Sequence, residues 1–131
     1  APAQEGYEQV DFETLLTQSD IISVHAPLNE HTEGLINSKA FEKMKSSCIF
    51  LNLGRGPIVD EQALYNALVR NQIAAAGLDV LCKEPMSADN PLLKIKDSKR
   101  LLITPHIAWA SVEARTHLME IIHGQVKDFF A

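Results

Sequence analysis

Short apolar runs alternate along this chain with segments of helical periodicity, and this alternation restricts the fold more than any other feature of the sequence. The runs lie at residues 20–24, 48–53, 74–80 and 100–105. They are apolar nearly throughout, which is typical of parallel strands that are covered on both faces. Strands that alternate with helices predict an α/β fold, in which right-handed crossovers build a parallel sheet.

Four segments have the periodicity of helices, namely residues 11–18, 37–45, 60–71 and 111–130. We expect Asn37 or Ser38 to cap the second segment and Asp60 to cap the third, because their side-chain oxygens can accept hydrogen bonds from the free amides of a first turn. The apolar positions of the third segment fall on one helical face. That face consists of Ala63, Leu64, Ala67 and Leu68.

The last helical segment begins at Ser111 and carries an apolar stripe that we expect to pack inward. The stripe consists of Leu118, Ile121, Ile122, Val126 and Phe129. Glu113 lies in the first turn, where a negative charge suits the helix dipole. Gly124 weakens the middle of this helix by up to ~1 kcal/mol.

Composition argues against several classes of protein. The chain has 131 residues, enough for one domain with a real core, and its net charge is −5 with no basic run, which argues against a nucleic-acid partner. No apolar run approaches the roughly 18 residues that cross a bilayer, and no signal-peptide pattern opens the sequence. We therefore expect a cytoplasmic protein with no membrane partner. Cys48 and Cys82 lack the spacing of a zinc site or a redox pair, so no metal is expected.

Polar residues follow each apolar run, at the positions where ligands bind in parallel α/β sheets. They are His25, Arg55, Asp79, Glu84 and His106. Residues 82–99 also interrupt the alternation and predict an irregular loop with one short helical turn, and long loops in compact domains are usually functional. Each polar residue has an ordinary structural explanation, such as a buried histidine, a surface arginine or a turn cap. Their convergence on one edge of the sheet favours a functional site.

The residue types at this edge suit one kind of chemistry. The planar fork of Arg55 can hold a carboxylate or a carbonyl, and the glycines beside it allow the backbone to approach a ligand. An imidazole such as that of His106 can give or take a proton at neutral pH. A carboxylate such as Glu84, if it faced the imidazole, would favour the imidazolium and orient the ring. This set suits interconversion of a 2-hydroxy acid and a 2-keto acid, which also needs a hydride carrier.

Four motifs in order, "SDIISVHAPLNEHTEGLIN", "FLNLGRGPIVDEQAL", "AAAGLDVLCKEP" and "LLITPHIAWAS", resemble the nucleotide-binding domain of the D-isomer-specific 2-hydroxyacid dehydrogenases. The resemblance runs from about residue 8 to the C-terminus. It implies a Rossmann-like three-layer domain and an oxidoreductase that transfers a hydride between NAD(P)H and a small 2-keto or 2-hydroxy acid. NAD is the expected cofactor, NADP stays open, and the full-length protein is expected to be a homodimer.

Within the family, "EPMSADNPLL" followed by "TPHIAWAS" is most similar to the glycerate dehydrogenase (hydroxypyruvate reductase) branch. Hydroxypyruvate and D-glycerate are therefore the favoured substrates.

The resemblance also implies roles for individual residues. Arg55 of the "GRG" turn binds the substrate carboxylate and carbonyl, His106 of "TPH" is the acid/base, and Glu84 of "DVxxxEP" pairs with that histidine. Asp79 lies by the nicotinamide carboxamide, and Trp109 shapes the pocket or packs against the following helix. The residues implied to line the cofactor are His25, Ala26, Pro27, Leu53, Gly54, Arg55, Asp79, His106, Ala108 and Trp109.

The chain lacks the GxGxxG fingerprint and the ribose-binding acid of the family. We therefore expect residues 1–131 to be the second half of an NAD(P)-binding domain, with the first βαβ unit and the substrate-binding domain absent. Without the helix N-terminus that holds the pyrophosphate, the isolated chain is expected to bind NAD weakly or not at all and to be inactive. A strand edge left open by the missing half suggests self-association.

Two other readings compete with an enzyme. A non-catalytic NAD-binding regulator on the same fold, similar to known corepressors, can keep the same site residues. The other is a plain α/β scaffold, in which the polar residues after the strands only cap turns. The four ordered motifs disfavour it.

Overall fold

A four-stranded parallel sheet forms the centre of the structure, a computed structural model that describes residues 6–130. The strands are β1 (Ile21–Val24), β2 (Ile49–Asn52), β3 (Ala75–Leu78) and β4 (Leu101–Ile103). Their order in the sheet is β1-β2-β3-β4, so neighbours in the chain are neighbours in the sheet. Every strand lies within one of the predicted apolar runs, and the predicted Rossmann-like α/β fold with a parallel sheet is confirmed.

Four α-helices occupy the predicted segments. They are α1 (Phe12–Gln18), α2 (Ser38–Lys43), α3 (Glu61–Val69) and α4 (Val112–Phe130). Asn37, rather than Ser38, caps α2, and Asp60 caps α3, each accepting two backbone amides of the first turn. A short 3₁₀ helix, Pro91–Lys94, is the predicted helical turn within the loop between β3 and β4.

The core lies between the sheet and the helices α1, α2 and α3. At its centre the rings of Phe41 and Phe50 meet edge to face, with centroids 5.4 Å apart and planes at 81°. Both side chains are fully buried, and so is the predicted apolar face of α3. Burial of this kind is the main favourable contribution to folding, because apolar surface is removed from water.

The opposite face of the sheet is exposed, which differs from the expected coverage of both faces. Ile21 on β1 and Leu102 on β4 expose 61% and 62% of their surface. The three helices that share the core with the sheet lie on its other face, so within residues 6–130 no helix covers these side chains. Strand β1 is also an edge strand that pairs only with β2 among the described residues.

The inward packing predicted for the last helix is wrong for the described chain. Helix α4 forms over 19 residues, but it contains no buried residue, and all five side chains of its predicted stripe are exposed. A helical stripe shows which face is apolar, whereas burial also needs an element that lies against it. No helix between residues 6 and 130 combines the length and the apolar character that a membrane crossing requires.

The contrast between the core and α4 predicts different costs of substitution. Phe50→Ala should lower the free energy of unfolding by about 3–5 kcal/mol, because it removes a fully buried ring and leaves a cavity. Ile122→Ser on α4 should change it by less than about 0.5 kcal/mol, as for other surface positions. Urea denaturation of both variants measures the difference, and comparable losses at the two positions would contradict the exposed placement of α4.

Candidate active site

The loops that follow the strands start in register at one edge of the sheet. The Asp79 amide donates to the carbonyl of Asn52 over 3.0 Å, and the Thr104 amide donates to the carbonyl of Leu78 over 2.9 Å. These hydrogen bonds continue the parallel ladder beyond the ends of β3 and β4. The residues immediately after the strands are therefore fixed by backbone hydrogen bonds at the carboxyl edge, where the functional site is expected.

Glu84 and His106, predicted to pair, are in contact. Glu84 Oε2 lies 2.9 Å from His106 Nδ1, and Glu84 Oε1 accepts the Leu81 amide over 2.9 Å. The Leu81 amide is the main cause of a lowered Glu84 pKa, and the hydrogen bond from His106 adds to it. An ionised carboxylate can only accept, so Nδ1 carries the proton and Nε2 is left to face a ligand. The two side chains are 40% and 41% exposed, so small molecules can reach them.

The backbone of His106 is held in an uncommon conformation. Its φ is 56°, in the left-handed region, which few residues other than glycine adopt and which costs of order 1–3 kcal/mol. Its amide donates to the Thr104 carbonyl over 3.0 Å, and the Trp109 indole Nε1 donates to its carbonyl over 2.9 Å. Trp109 thus fixes the turn after the histidine. This contact was not foreseen from the sequence.

Asp79 organises the turn that carries His106. Its Oδ1 accepts the Thr104 hydroxyl over 2.5 Å and the Ile107 amide over 2.9 Å, and its Oδ2 accepts the Ala108 amide over 2.8 Å. Burial, the largest single influence, raises the Asp79 pKa, but these hydrogen bonds together outweigh it and the pKa is lowered. The carboxylate, 3% exposed, therefore joins the end of β3 to the turn after β4. Its expected contact with a cofactor stays a prediction.

The Gly54-Arg55-Gly56 turn is shaped by contacts within the protein. The buried Asn52 donates from Nδ2 to the Arg55 carbonyl over 3.0 Å and accepts the Gly54 amide at Oδ1 over 3.2 Å. A Cβ on Gly56 would lie 2.0 Å from the carbonyl of Leu81, so only glycine allows the loop after β3 to pack here. This internal contact, rather than the expected close approach of a ligand, explains the glycine at position 56.

The observed hydrogen bond of the Arg55 side chain lies within its own turn and not with the Glu84–His106 pair. It is exposed, and its Nη1 donates to the carbonyl of Gly54 over 2.8 Å. In the part of the chain that the structure describes, Arg55 forms no ion pair with Glu84. The structure thus brings together two of the three predicted catalytic residues, and the role of Arg55 stays a prediction.

A pocket of about 710 Å³ opens beside the Glu84–His106 pair. It is lined by Asp79, Leu81, Glu84, Pro85, Met86, Ile103, Thr104, Pro105 and His106. A mainly apolar wall with a few convergent polar groups is typical of sites for small ligands, and the volume lies within their usual range. Met86 and Ile103 were not singled out from the sequence, because nothing in the local pattern shows which apolar residues face a pocket.

The other residues predicted to line a cofactor lie on the loops after β1, β2 and β4. His25 is exposed, and its Nε2 lies 2.8 Å from the Ser23 hydroxyl. The remaining members of this set are the half-buried Ala26, the buried Gly54 and the exposed Pro27, Leu53, Ala108 and Trp109. Their contact with a cofactor stays a prediction. Within residues 6–130, no cluster of three or more His, Cys, Asp or Glu residues is placed to hold a metal ion.

Comparison with known proteins identifies what this chain is similar to. A family model described as "D-isomer specific 2-hydroxyacid dehydrogenase, NAD binding domain" matches residues 1–108. A hydroxypyruvate reductase of Blautia hydrogenotrophica is 46% identical over 125 residues, which are 95% of this chain and 38% of that protein. A glycerate dehydrogenase of Methylorubrum extorquens is 44% identical over 122 residues, 93% of this chain and 38% of that protein. The chain thus spans less than half the length of these relatives.

Solved structures show the same fold. An acyclic imino acid reductase (Bsp5) in complex with NADPH and D-Arg aligns over 98% of this chain and 40% of its own, with a TM-score of 0.85 and 37% identity. A D-lactate dehydrogenase from Aquifex aeolicus, complexed with NAD and lactic acid, aligns over 92% of this chain and 40% of its own, with a TM-score of 0.77 and 30% identity.

The hydrogen bonds of Asp79 predict how stability depends on pH. Since the folded-state pKa lies below the ordinary 3.8, the carboxylate stabilises the fold above that pH, and the contribution is lost as the pH falls through the folded-state value. Asp79→Asn should cost roughly 1–3 kcal/mol at neutral pH, because an amide turns a donor toward a backbone amide. Urea denaturation should show this difference shrinking in acid. Asp128→Asn on the exposed helix α4 is the control and should show neither effect.

The thiol of Cys82 is expected to be unreactive. Although the residue as a whole is exposed, its sulfur lies against the Val59 carbonyl, and this partial burial, followed by the charge of Glu61, raises its pKa from 9.0 to about 11. At mildly alkaline pH this leaves about a hundredfold less thiolate than an ordinary cysteine has, and the thiolate is the nucleophile. Alkylation by iodoacetamide, followed on the Cys82 peptide by mass spectrometry, should be slower than in the urea-unfolded chain by a similar factor. Equal rates in the two states would contradict the pKa.

Proposed function

The chain belongs to the D-isomer specific 2-hydroxyacid dehydrogenase family, and we propose that it forms part of the NAD(P)-binding domain of an enzyme that interconverts small 2-keto and 2-hydroxy acids. The observation that carries the proposal is the Glu84–His106 pair, 2.9 Å between ring and carboxylate, at the wall of an apolar pocket. Hydroxypyruvate and D-glycerate are the proposed substrates. The hydroxypyruvate reductase and glycerate dehydrogenase among the relatives support this choice.

His106 is the proposed acid and base. In reduction, the imidazolium gives its Nε2 proton to the substrate carbonyl oxygen as the carbonyl carbon is reduced, and in oxidation the neutral ring takes the hydroxyl proton. The Nδ1 proton stays on the hydrogen bond to Glu84 Oε2 throughout. Glu84 thereby keeps one ring orientation. The hydrogen bond from the Leu81 amide lowers the pKa of the Glu84 carboxyl group and so favours its ionised form.

The pocket fits the nicotinamide end of a dinucleotide. Leu81, Met86 and Ile103 provide apolar surface for a flat ring, and Glu84 and His106 add polar groups to the same pocket. A bound nicotinamide would contribute the hydride that the reaction requires. The proposed lining residues on the loops after β1, β2 and β4 lie at the same edge of the sheet. NAD is the proposed cofactor, and NADP should be assayed in parallel.

Arg55 is the proposed anchor for the substrate carboxylate. The net charge of the chain, −5, opposes the approach of an anion, so a local positive group is needed to attract one. The exposed guanidinium can provide it if Nη1 leaves the Gly54 carbonyl that it now contacts. A bidentate grip on the carboxylate would compensate for that lost hydrogen bond.

The proposal extends to the full-length protein. We propose that the substrate-binding domain lies in a separate part of it, that it is a homodimer and that it is cytoplasmic, where free thiols such as Cys48 persist. The open edge of β1 and the exposed apolar stripe of α4 offer surfaces for association.

Turnover of hydroxypyruvate tests the proposal. The full-length protein should oxidise NADH or NADPH with this substrate, and His106→Asn should lower kcat by about 10²–10⁴-fold while cofactor affinity is kept. His123→Asn on α4 is the matched control and should keep the wild-type rate. An unchanged rate in His106→Asn would place the proton donor elsewhere. Cofactor binding without turnover of any 2-keto acid would favour the non-catalytic regulator.

A further inference from the structure

We propose that Glu61, in the first turn of α3, is a positioning residue that holds Glu84 against His106. It acts through the loop that carries Glu84 and touches neither member of the pair. The effect of Glu61 on catalysis rests on the proposed function. Its effect on the position of the loop does not, so the two effects can be tested separately.

Both carboxylate oxygens of Glu61 bind the loop after β3. Oε1 accepts the backbone amide of Cys82 over 2.8 Å, and Oε2 accepts Nδ2 of Asn90 over 2.8 Å. The two partners lie 21 and 29 residues further along the chain. One side chain on a helix thus fastens both ends of the loop segment at residues 82–90, which contains Glu84. Hydrogen bonds to an ionised group are about twice as strong as those between neutral groups.

The Cys82 peptide is adjacent to the group that orients Glu84. The Leu81 amide donates to Glu84 Oε1 over 2.9 Å, and the other oxygen of Glu84 receives the hydrogen bond with His106. The carbonyl of Leu81 also packs on Gly56, where no side chain fits. Glu61 and Gly56 therefore fix the Leu81–Cys82 peptide from two directions. The Leu81 amide belongs to the preceding peptide, so a fixed Leu81–Cys82 peptide limits how far that amide can turn away from Glu84.

Asn90, at the far end of this segment, is also held in a fixed position. Asn90 is buried, and its Oδ1 accepts the Leu92 amide over 2.9 Å, at the start of the 3₁₀ helix Pro91–Lys94. The amide group of Asn90 therefore has a fixed orientation, because its oxygen caps this helix and its nitrogen must find an acceptor. Glu61 Oε2 is that acceptor. Between Cys82 and Asn90 the chain has no helix or strand, so these attachments limit how far the loop can move.

The alternative is that Glu61 serves α3 alone. An acid in the first turn of a helix stabilises it through the helix dipole, without any effect on a distant loop. Glu113 occupies the equivalent turn of α4 and is exposed. Glu113→Gln therefore removes the same charge from the same place in a helix. It is the matched control for Glu61→Gln.

Glu61→Gln separates these possibilities, because glutamine keeps the shape but offers one acceptor oxygen to two donors. We expect the loop to loosen and the pKa of Glu84 to rise toward its ordinary 4.5, measured by NMR titration of its carboxyl carbon. Loss of the negative charge alone would lower that pKa, so a rise reports lost hydrogen bonds from Leu81 and His106. In the full-length protein, kcat/KM should fall about tenfold, the value of one lost charged hydrogen bond.

The outcomes are distinct. A Glu84 pKa that stays in place in Glu61→Gln, or that moves equally in Glu113→Gln, overturns the positioning role even if the melting temperature falls. A full-length protein that shows no dehydrogenase activity refutes the proposed function, while a raised Glu84 pKa in Glu61→Gln would still support the positioning role. If circular dichroism shows Glu61→Gln to be unfolded, Glu61→Asp replaces it with the same expectations, because its shorter carboxylate cannot reach both donors.

Discussion

The site depends on one buried carboxylate. Asp79 stands at the end of β3 and accepts three hydrogen bonds from the turn after β4, so the two loops cannot shift independently. The backbone of His106 within that turn has a positive φ, which its surroundings must enforce. An ordinary extended turn after β4 would send the imidazole elsewhere. The ionised Asp79 makes the uncommon conformation the stable one.

The two members of the Glu84–His106 pair are held by different carboxylates. Asp79 holds the turn of His106, and Glu61 holds the loop of Glu84. The hydrogen bond between Glu84 and His106 forms only if the two loops that carry them are positioned to within a few tenths of an ångström. The half-exposed pair could not impose this geometry by its own attraction, because surface ion pairs contribute at most about 1 kcal/mol. The buried Asp79 and the half-buried Glu61 provide the order that the proposed acid/base residue needs.

Much of this arrangement could be predicted from the sequence. The other features could not, for physical reasons. Strands, helices and the Asp60 cap follow from patterns over a few neighbouring residues, and the carboxyl-edge rule locates the site. Amphipathicity shows that α4 has an apolar face but not whether any element covers it. Glu61 reads as an ordinary first-turn acid because its partners lie 21 and 29 residues away. Asp79 could be recognised as important, but its hydrogen bonds to the turn after β4 depend on the folded backbone.

The charges at this edge also suggest how a 2-keto acid would lie in the proposed site. An imidazolium at His106 is balanced by Glu84, and Asp79 is satisfied by its hydrogen bonds, so neither attracts a substrate carboxylate. Among the described residues that follow the strands, Arg55 is the cation whose observed hydrogen bond goes to a backbone carbonyl rather than to an acid. In the proposed site, a substrate carboxylate would therefore be drawn toward Arg55 after β2, and the keto oxygen would point toward the Nε2 of His106 after β4. The guanidinium after β2 and the imidazole after β4, on either side of β3, would together orient the substrate before any reaction begins.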